Sequence, residues 1–151
     1  MVLKYRHVGV IVTNMEKSIE FYCDLLGHKK LVDFTEKGNY FSSLIGLDNA
    51  EARVVKAGTP DGTFVELIQF TTHEAIPPAT TKFNAIGCNH VCFTVDDIES
   101  LYDRMSSRGV KFVTRPLQSD FDPVKTCFCY DPDGTLVQFV EIAEPLEWEQ
   151  N

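Results

Sequence analysis

The sequence predicts an α+β fold built from two tandem βαβββ modules, and three observations carry that prediction. His7 heads the run His-Val-Gly-Val-Ile-Val and His90 heads His-Val-Cys-Phe-Thr-Val, an offset of 83 residues. Each run is followed by a helix-start signal, Thr13 with Glu16 and Asp96 with Glu99, at the same offset. Further along, Pro60-Asp61-Gly62-Thr63 is matched by Pro132-Asp133-Gly134-Thr135, where the offset has shortened to 72. Internal repetition of this kind marks a duplicated supersecondary unit.

Each element has a local reason. The opening runs are short, rich in β-branched residues and bounded by polar positions, which predicts strands. Met15, Ile19, Tyr22 and Leu26 then recur at helical spacing in the first copy, as Ile98, Leu101, Tyr102 and Met105 do in the second. Gly27 and Gly109 supply the left-handed residue that stops each helix. The two Pro-Asp-Gly-Thr tetrapeptides are turn formers that open closing strands, Phe64–Ile68 and Leu136–Val140. Between helix and turn the first copy is expected to hold strands near Lys29–Asp33, Tyr40–Leu44 and Glu51–Val55. Thr71–Asn84, with Pro77-Pro78, reads as a linker. The expected organisation is one domain over 1–151: module one about 3–70, linker 71–85, module two about 86–142 and a C-terminal tail 143–151. One helix covers one face of each sheet, so the other faces are expected to meet around a shared cleft.

Composition narrows the function. A chain of 151 residues with 44 % apolar and 24 % charged residues can bury a core and is neither disordered nor fibrous. The net charge of −8 argues against a nucleic-acid partner. No apolar run is long enough to span a membrane and Val8–Val12 is too short for a signal-peptide core, so a cytoplasmic protein is expected. Five cysteines form an odd set, expected to be reduced. Cys127 and Cys129 alternate with Thr126, Phe128 and Tyr130, which puts both on one strand face as small packing residues.

Strand alternation also selects the candidate site. With Val8, Val10 and Val12 under the helix, His7, Gly9 and Ile11 face the cleft, and by the same offset so do His90, Cys92 and Thr94. In the closing strand Val65 and Leu67 suit the helix side, which turns Phe64, Glu66 and Ile68 inward. Glu66 is then a carboxylate in an apolar row and must be protonated, hydrogen-bonded or on a metal. The tetrapeptide alignment sets Gln138 opposite Glu66. Glu141 is the acidic alternative, but it stands three residues further on, and an odd displacement reverses the face of a regular strand. Singly, each of these residues has a plainer structural reading. Together, two histidines and two oxygen-bearing side chains at matched inward positions point to a site for Zn, Ni, Co, Mn or Fe(II). His28 and His73 are expected to be solvated. Arg53, Arg115 and Lys125 could anchor an anionic tail, with surface solvation the favoured role.

The doubled pattern, the two His-Val starts, the Glu16-Lys-Ser-Ile-Glu-Phe-Tyr helix ending at Leu25-Leu26-Gly27 and the Asp131-Pro132-Asp133-Gly134 turn resemble the vicinal-oxygen-chelate superfamily. Glyoxalase I, methylmalonyl-CoA epimerase, extradiol dioxygenases and fosfomycin- or bleomycin-resistance proteins belong to it. The resemblance implies a glyoxalase-like fold over about 3–142 and metal ligands His7, Glu66, His90 and Gln138. It also implies chemistry in which the cation binds two neighbouring substrate oxygens and holds an enediolate while a carboxylate, here Glu66, moves the proton. Three departures matter. Gln138 replaces the usual carboxylate at the last ligand position, which lowers the negative charge of the site. Ile11 and Phe70 stand where bacterial-type glyoxalases carry an Arg and an Asn for glutathione, which points away from a glutathione conjugate. Gln138 also weighs against an extradiol dioxygenase. The resulting expectation is a metal-dependent lyase or isomerase acting on a small carbonyl compound or thioester, with homodimerisation implied by the family pattern. The alternatives are a binding or resistance protein that uses the apolar cleft without turnover and, third, an Fe(II) dioxygenase.

Overall fold

The computed structural model describes residues 1–78 and 82–144. Part of the linker, 79–81, and most of the expected tail, 145–151, lie outside the described residues. The chain divides into two compact units, Met1–Thr80 and Thr81–Asn151.

In the first unit β1 (His7–Ile11) is followed by α1, which starts as an α-helix over Met15–Ile19 and continues as a π-helical segment over Glu20–Leu25. Then come β2 (Lys29–Lys37), α2 (Asn39–Ile45), β3 (Glu51–Gly58) and β4 (Phe64–Phe70). The sheet order is β1-β4-β3-β2, with β1 parallel to β4 and the other pairs antiparallel. A parallel pair needs a long crossover. Here the crossover is everything between β1 and β4, so the first and last strands become neighbours. The second unit repeats the plan with β5 (His90–Thr94), α3 (Ile98–Ser107), a two-residue β6 (Leu117–Gln118), β7 (Val124–Tyr130) and β8 (Leu136–Ile142), in the order β5-β8-β7-β6. This is the expected α+β arrangement of two mixed four-stranded sheets. Among the described residues no helix is long and apolar enough to cross a membrane.

The helix-facing side chains are those the alternation selects. Val10, Val12, Val65 and Leu67 are buried with Met15, Phe21, Tyr22 and Leu25 of α1, and Val137 and Phe139 with Ile98, Leu101 and Met105 of α3. In the π segment hydrogen bonds span five residues rather than four, as from the Leu26 amide to the Phe21 carbonyl. The slower rotation brings adjacent Phe21 and Tyr22 both into the core and leaves Ile19 and Leu26 only half-buried. Cys127 and Cys129 are fully buried, and burial pushes their thiols up to about 11 and about 12, in keeping with a packing role.

The duplication extends to polar detail. Gln69 Oε1 accepts from the Met15 amide at 3.0 Å, and at the matching position Glu141 Oε2 accepts from the Ile98 amide at 2.7 Å, so each closing strand caps its own helix. Arg53 pairs with Glu16 at 2.6 Å, and its counterpart Lys125 pairs with Glu99 at 3.1 Å. The Pro-Asp-Gly-Thr turns are matched as well, with Gly62 at φ +85° and Gly134 at φ +88°, a conformation that costs glycine least.

Four sequence expectations need correction. The caps are Asn14 and Asp97, one residue later than Thr13 and Asp96: Asn14 Oδ1 accepts from the Lys17 amide at 3.1 Å and Asp97 Oδ1 from the Ser100 amide at 2.9 Å. Tyr40–Leu44 is not a strand but most of α2, bracketed by Gly38 at φ +92° and Gly46 at φ +71°. Seven residues are too few for periodicity to separate helix from strand. Tertiary packing decides, because a helical turn buries Phe41 against Ala50, Ala52, Ile68 and Phe70 and lets Ser42 Oγ accept from the Ala50 amide. His28 is not solvated: it is buried beside Tyr22, and burial lowers its pKa. Arg53, Arg115 and Lys125 are engaged rather than merely solvated, Arg53 also with Asp33 at 2.8 Å and Arg115 over the Tyr102 ring.

Candidate functional site

In the first unit the sheet face opposite α1 carries the candidates. The parallel register sets His7 against Phe64 and Gly9 against Glu66. Gly9 has no side chain, so the His7 ring reaches diagonally past it, and its Nε2 lies 3.5 Å from Glu66 Oε2. The ring stacks on Phe64, centroid to centroid 4.9 Å. His7 Nδ1 is buried and has no hydrogen-bond partner among the described residues.

The other carboxylate oxygen meets a residue absent from the sequence-derived set. Lys56 stands directly opposite Glu66 in the antiparallel β3–β4 register, and its Nζ lies 3.5 Å from Glu66 Oε1. The ammonium also lies over Phe64 at 5.3 Å and Phe34 at 5.8 Å from the ring centroids, a favourable cation–π placement. The Glu66 carboxylate thus lies between the His7 ring and the Lys56 amine. Alternation alone gives Lys56 no face, because the adjacent Val54 and Val55 are both apolar; the β3–β4 register does.

The second unit offers a different pair. The His90 ring packs between Phe83, stacked at 6.0 Å, and Phe128, edge-on at 5.4 Å, with Nδ1 3.3 Å from Asn89 Oδ1. Gln138 Nε2 donates to Thr126 Oγ1 at 3.0 Å, and the Thr126 hydroxyl donates in turn to the Phe139 carbonyl at 2.8 Å. Because that hydroxyl has spent its one proton, it can only accept from Gln138. The amide orientation follows, and its carbonyl oxygen is the atom left to act as acceptor or ligand. Glu141, the acidic alternative, is tied to the start of α3 on the opposite face. Gln138, not Glu141, is thus the residue that matches Glu66.

The donor chemistry fits a divalent ion. The His7–Glu66 pair supplies one imidazole nitrogen and one carboxylate oxygen, donor types suited to Zn and its neighbours. Two donors at about 2.1 Å from a tetrahedral ion stand roughly 3.4 Å apart, close to the 3.5 Å between His7 Nε2 and Glu66 Oε2. Among the described residues, no group of three His, Cys, Asp or Glu side chains is placed to hold a metal ion. At the two positions tied by resemblance to glutathione, Phe70 stacks on Phe41 at 6.4 Å in an apolar wall and Ile11 is an exposed alkyl side chain.

Comparison with known proteins agrees with this fold. Residues 4–139 match the Glyoxalase/Bleomycin resistance protein/Dioxygenase superfamily. A lactoylglutathione lyase of Schizosaccharomyces pombe is 29 % identical over 147 residues; the alignment takes in 93 % of this chain, which spans only 48 % of that protein's length. A glyoxalase family protein from Bacillus cereus superposes with a TM-score of 0.86 at 25 % identity, covering 93 % of this chain and 95 % of its own. The fosfomycin resistance protein FosX of Listeria monocytogenes, solved with Mn(II), shares the fold at a TM-score of 0.63 and 12 % identity, covering 99 % of this chain and 98 % of its own.

Proposed function

Because the chain belongs to the glyoxalase/bleomycin resistance protein/dioxygenase superfamily, we propose that it is a metal-dependent lyase or isomerase that moves a proton on a small carbonyl compound or thioester. The observation that carries this reading is the His7–Glu66 pair: a ring nitrogen and a carboxylate oxygen 3.5 Å apart on one sheet face. His7 and Glu66 are the donors of the first unit in this reading, and His90 and the Gln138 carbonyl those of the second. A divalent ion, if bound, would supply Lewis acidity, which lowers the cost of removing a proton from the carbon beside a carbonyl.

The residues of the chain do the rest. Phe64 holds the His7 ring in plane, and Asn89 orients His90 through its Nδ1. Thr126 keeps the Gln138 carbonyl turned outward. Glu66 Oε1, the oxygen not facing His7, takes the substrate proton. The apolar Phe70 and Ile11 support a substrate without a glutathione moiety, in contrast to the activity named for the fission-yeast relative. Homodimerisation belongs to the same reading and is checked by light scattering on the purified protein.

Metal analysis tests the reading. The purified protein is expected to hold one divalent ion per chain and to lose it in the His7→Ala and His90→Ala variants. With metal loaded, NMR in deuterated water on a panel of 2-oxo aldehydes and acyl thioesters is expected to show exchange at the α-carbon. Absence of exchange across the panel would remove the lyase or isomerase assignment. One observation favours a second reading, binding without turnover: the Glu66 charge is already met by Lys56 and Gln138 carries none. Failure to take up any metal, with retained affinity for an apolar ligand, would decide for it.

A further inference from the structure

Among the described residues, Glu66 meets His7 and Lys56, and of these only His7 belongs to the donor set. We propose that Lys56 is a positioning residue that competes with the divalent ion for Glu66 and so sets how tightly this protein binds metal. The inference rests on the reading of Glu66 as a ligand.

Three features support it. Lys56 is not a roaming surface lysine: strand register sets it opposite Glu66, its side chain is 27 % exposed, and two aromatic faces bound its ammonium. Its charge cancels that of the carboxylate, so the His7–Glu66 pair presents a cation with no net negative charge. An ion held at Oε2 would also face a second positive charge close to Oε1 of the same group, a repulsion only partly screened at a half-buried site. The rings of Phe34 and Phe64 provide a resting place for the ammonium when the carboxylate turns to the ion.

The second unit supplies an internal comparison. At the offset of 72, Lys56 corresponds to Phe128 and Glu66 to Gln138, and Phe128 again pairs with Gln138 across the strands. Acid and base are exchanged together for amide and ring. The strand plan therefore accepts an apolar side chain at this position, and the ammonium is tied to the carboxylate rather than to the fold.

The test is titration of the purified protein with Zn(II) and Co(II) against a chromophoric chelator, with circular dichroism to verify folding. Lys56→Met is expected to bind either ion about tenfold more tightly than wild type, and Lys56→Arg to stay within about threefold of it. Glu66→Gln is expected to weaken binding more than tenfold, and the gain from Lys56→Met should vanish in the double variant. If Lys56→Met is poorly folded, Lys56→Gln takes its place. Unchanged or weaker binding by Lys56→Met and Lys56→Gln, with Glu66→Gln still weakened, would overturn the competition alone. Indifference of metal binding to Glu66→Gln would overturn the ligand assignment, and the competition with it.

Discussion

Replacing Glu141 by Ala separates structure from chemistry at the end of the second sheet. Its Oε2 accepts from the Ile98 amide at 2.7 Å in the first turn of α3, where Asp97 satisfies the Ser100 amide but not that of Ile98. A hydrogen bond to a charged acceptor contributes about 1.5–3 kcal/mol, and an anion at a helix start about 0.3–1 kcal/mol. Glu141 is half-buried, so the low end applies and the loss should be about 2 kcal/mol. With a urea slope of about 2 kcal/mol per M, the unfolding midpoint moves down by about 1 M. Glu141→Gln should cost only about 0.5 kcal/mol, because Gln69 serves Met15 through a neutral amide at the matching position of the first unit. Urea titration by circular dichroism and hydrogen exchange at the Ile98 amide measure both effects. Metal affinity should be unchanged in the Glu141 variants and reduced in Gln138→Ala. A Glu141→Ala variant that keeps wild-type stability, or that loses metal as Gln138→Ala does, would show that the assignment of the two faces is wrong.

Two further outcomes are expected. Arg53, by hydrogen bonding, holds Asp33 down to about 2, below the usual carboxylate value near 4. A depressed carboxylate stabilises the fold above its unfolded pKa and loses that contribution as pH falls through its folded pKa. The pair is partly exposed, so Arg53→Met should cost about 1 kcal/mol at neutral pH, and the gap to wild type should close between about pH 4 and pH 2; a gap that persists at lower pH would contradict this. Cys127 and Cys129, buried and with thiols pushed up to about 11 and 12, should resist iodoacetamide at pH 8 until the protein is unfolded, whereas exposed Cys88 should react at once. Peptide mapping that finds Cys127 or Cys129 modified in the native protein would refute the burial argument.

The two units share a plan but not a charge. Glu66 with Lys56 in the first is matched by Gln138 with Phe128 in the second, and Val54 of the first by Thr126, which orients the Gln138 amide. Each oxygen donor thus has its own means of support: an ion pair for the acid, a hydrogen-bond chain for the amide. The two matched pairs are thus chemically unlike rather than one motif repeated.

Much of this was legible along the chain. The 83- and 72-residue offsets, the alternation that sends Val10, Val65 and Val137 to the helix side, and the parity that matches Gln138 rather than Glu141 to Glu66 are local properties of strands and turns, so the chain alone determined the duplicated α+β plan and the strand face that carries Glu66 or Gln138 in each unit. The helix over Asn39–Ile45, the caps at Asn14 and Asp97 and the burial of His28 depended on what each segment packs against. Above all, the pairing of Lys56 with Glu66 joins residues on different strands. Only the folded sheet decided it, because strand register is set by the summed packing and hydrogen bonding of whole strands, and no short stretch of sequence contains that sum.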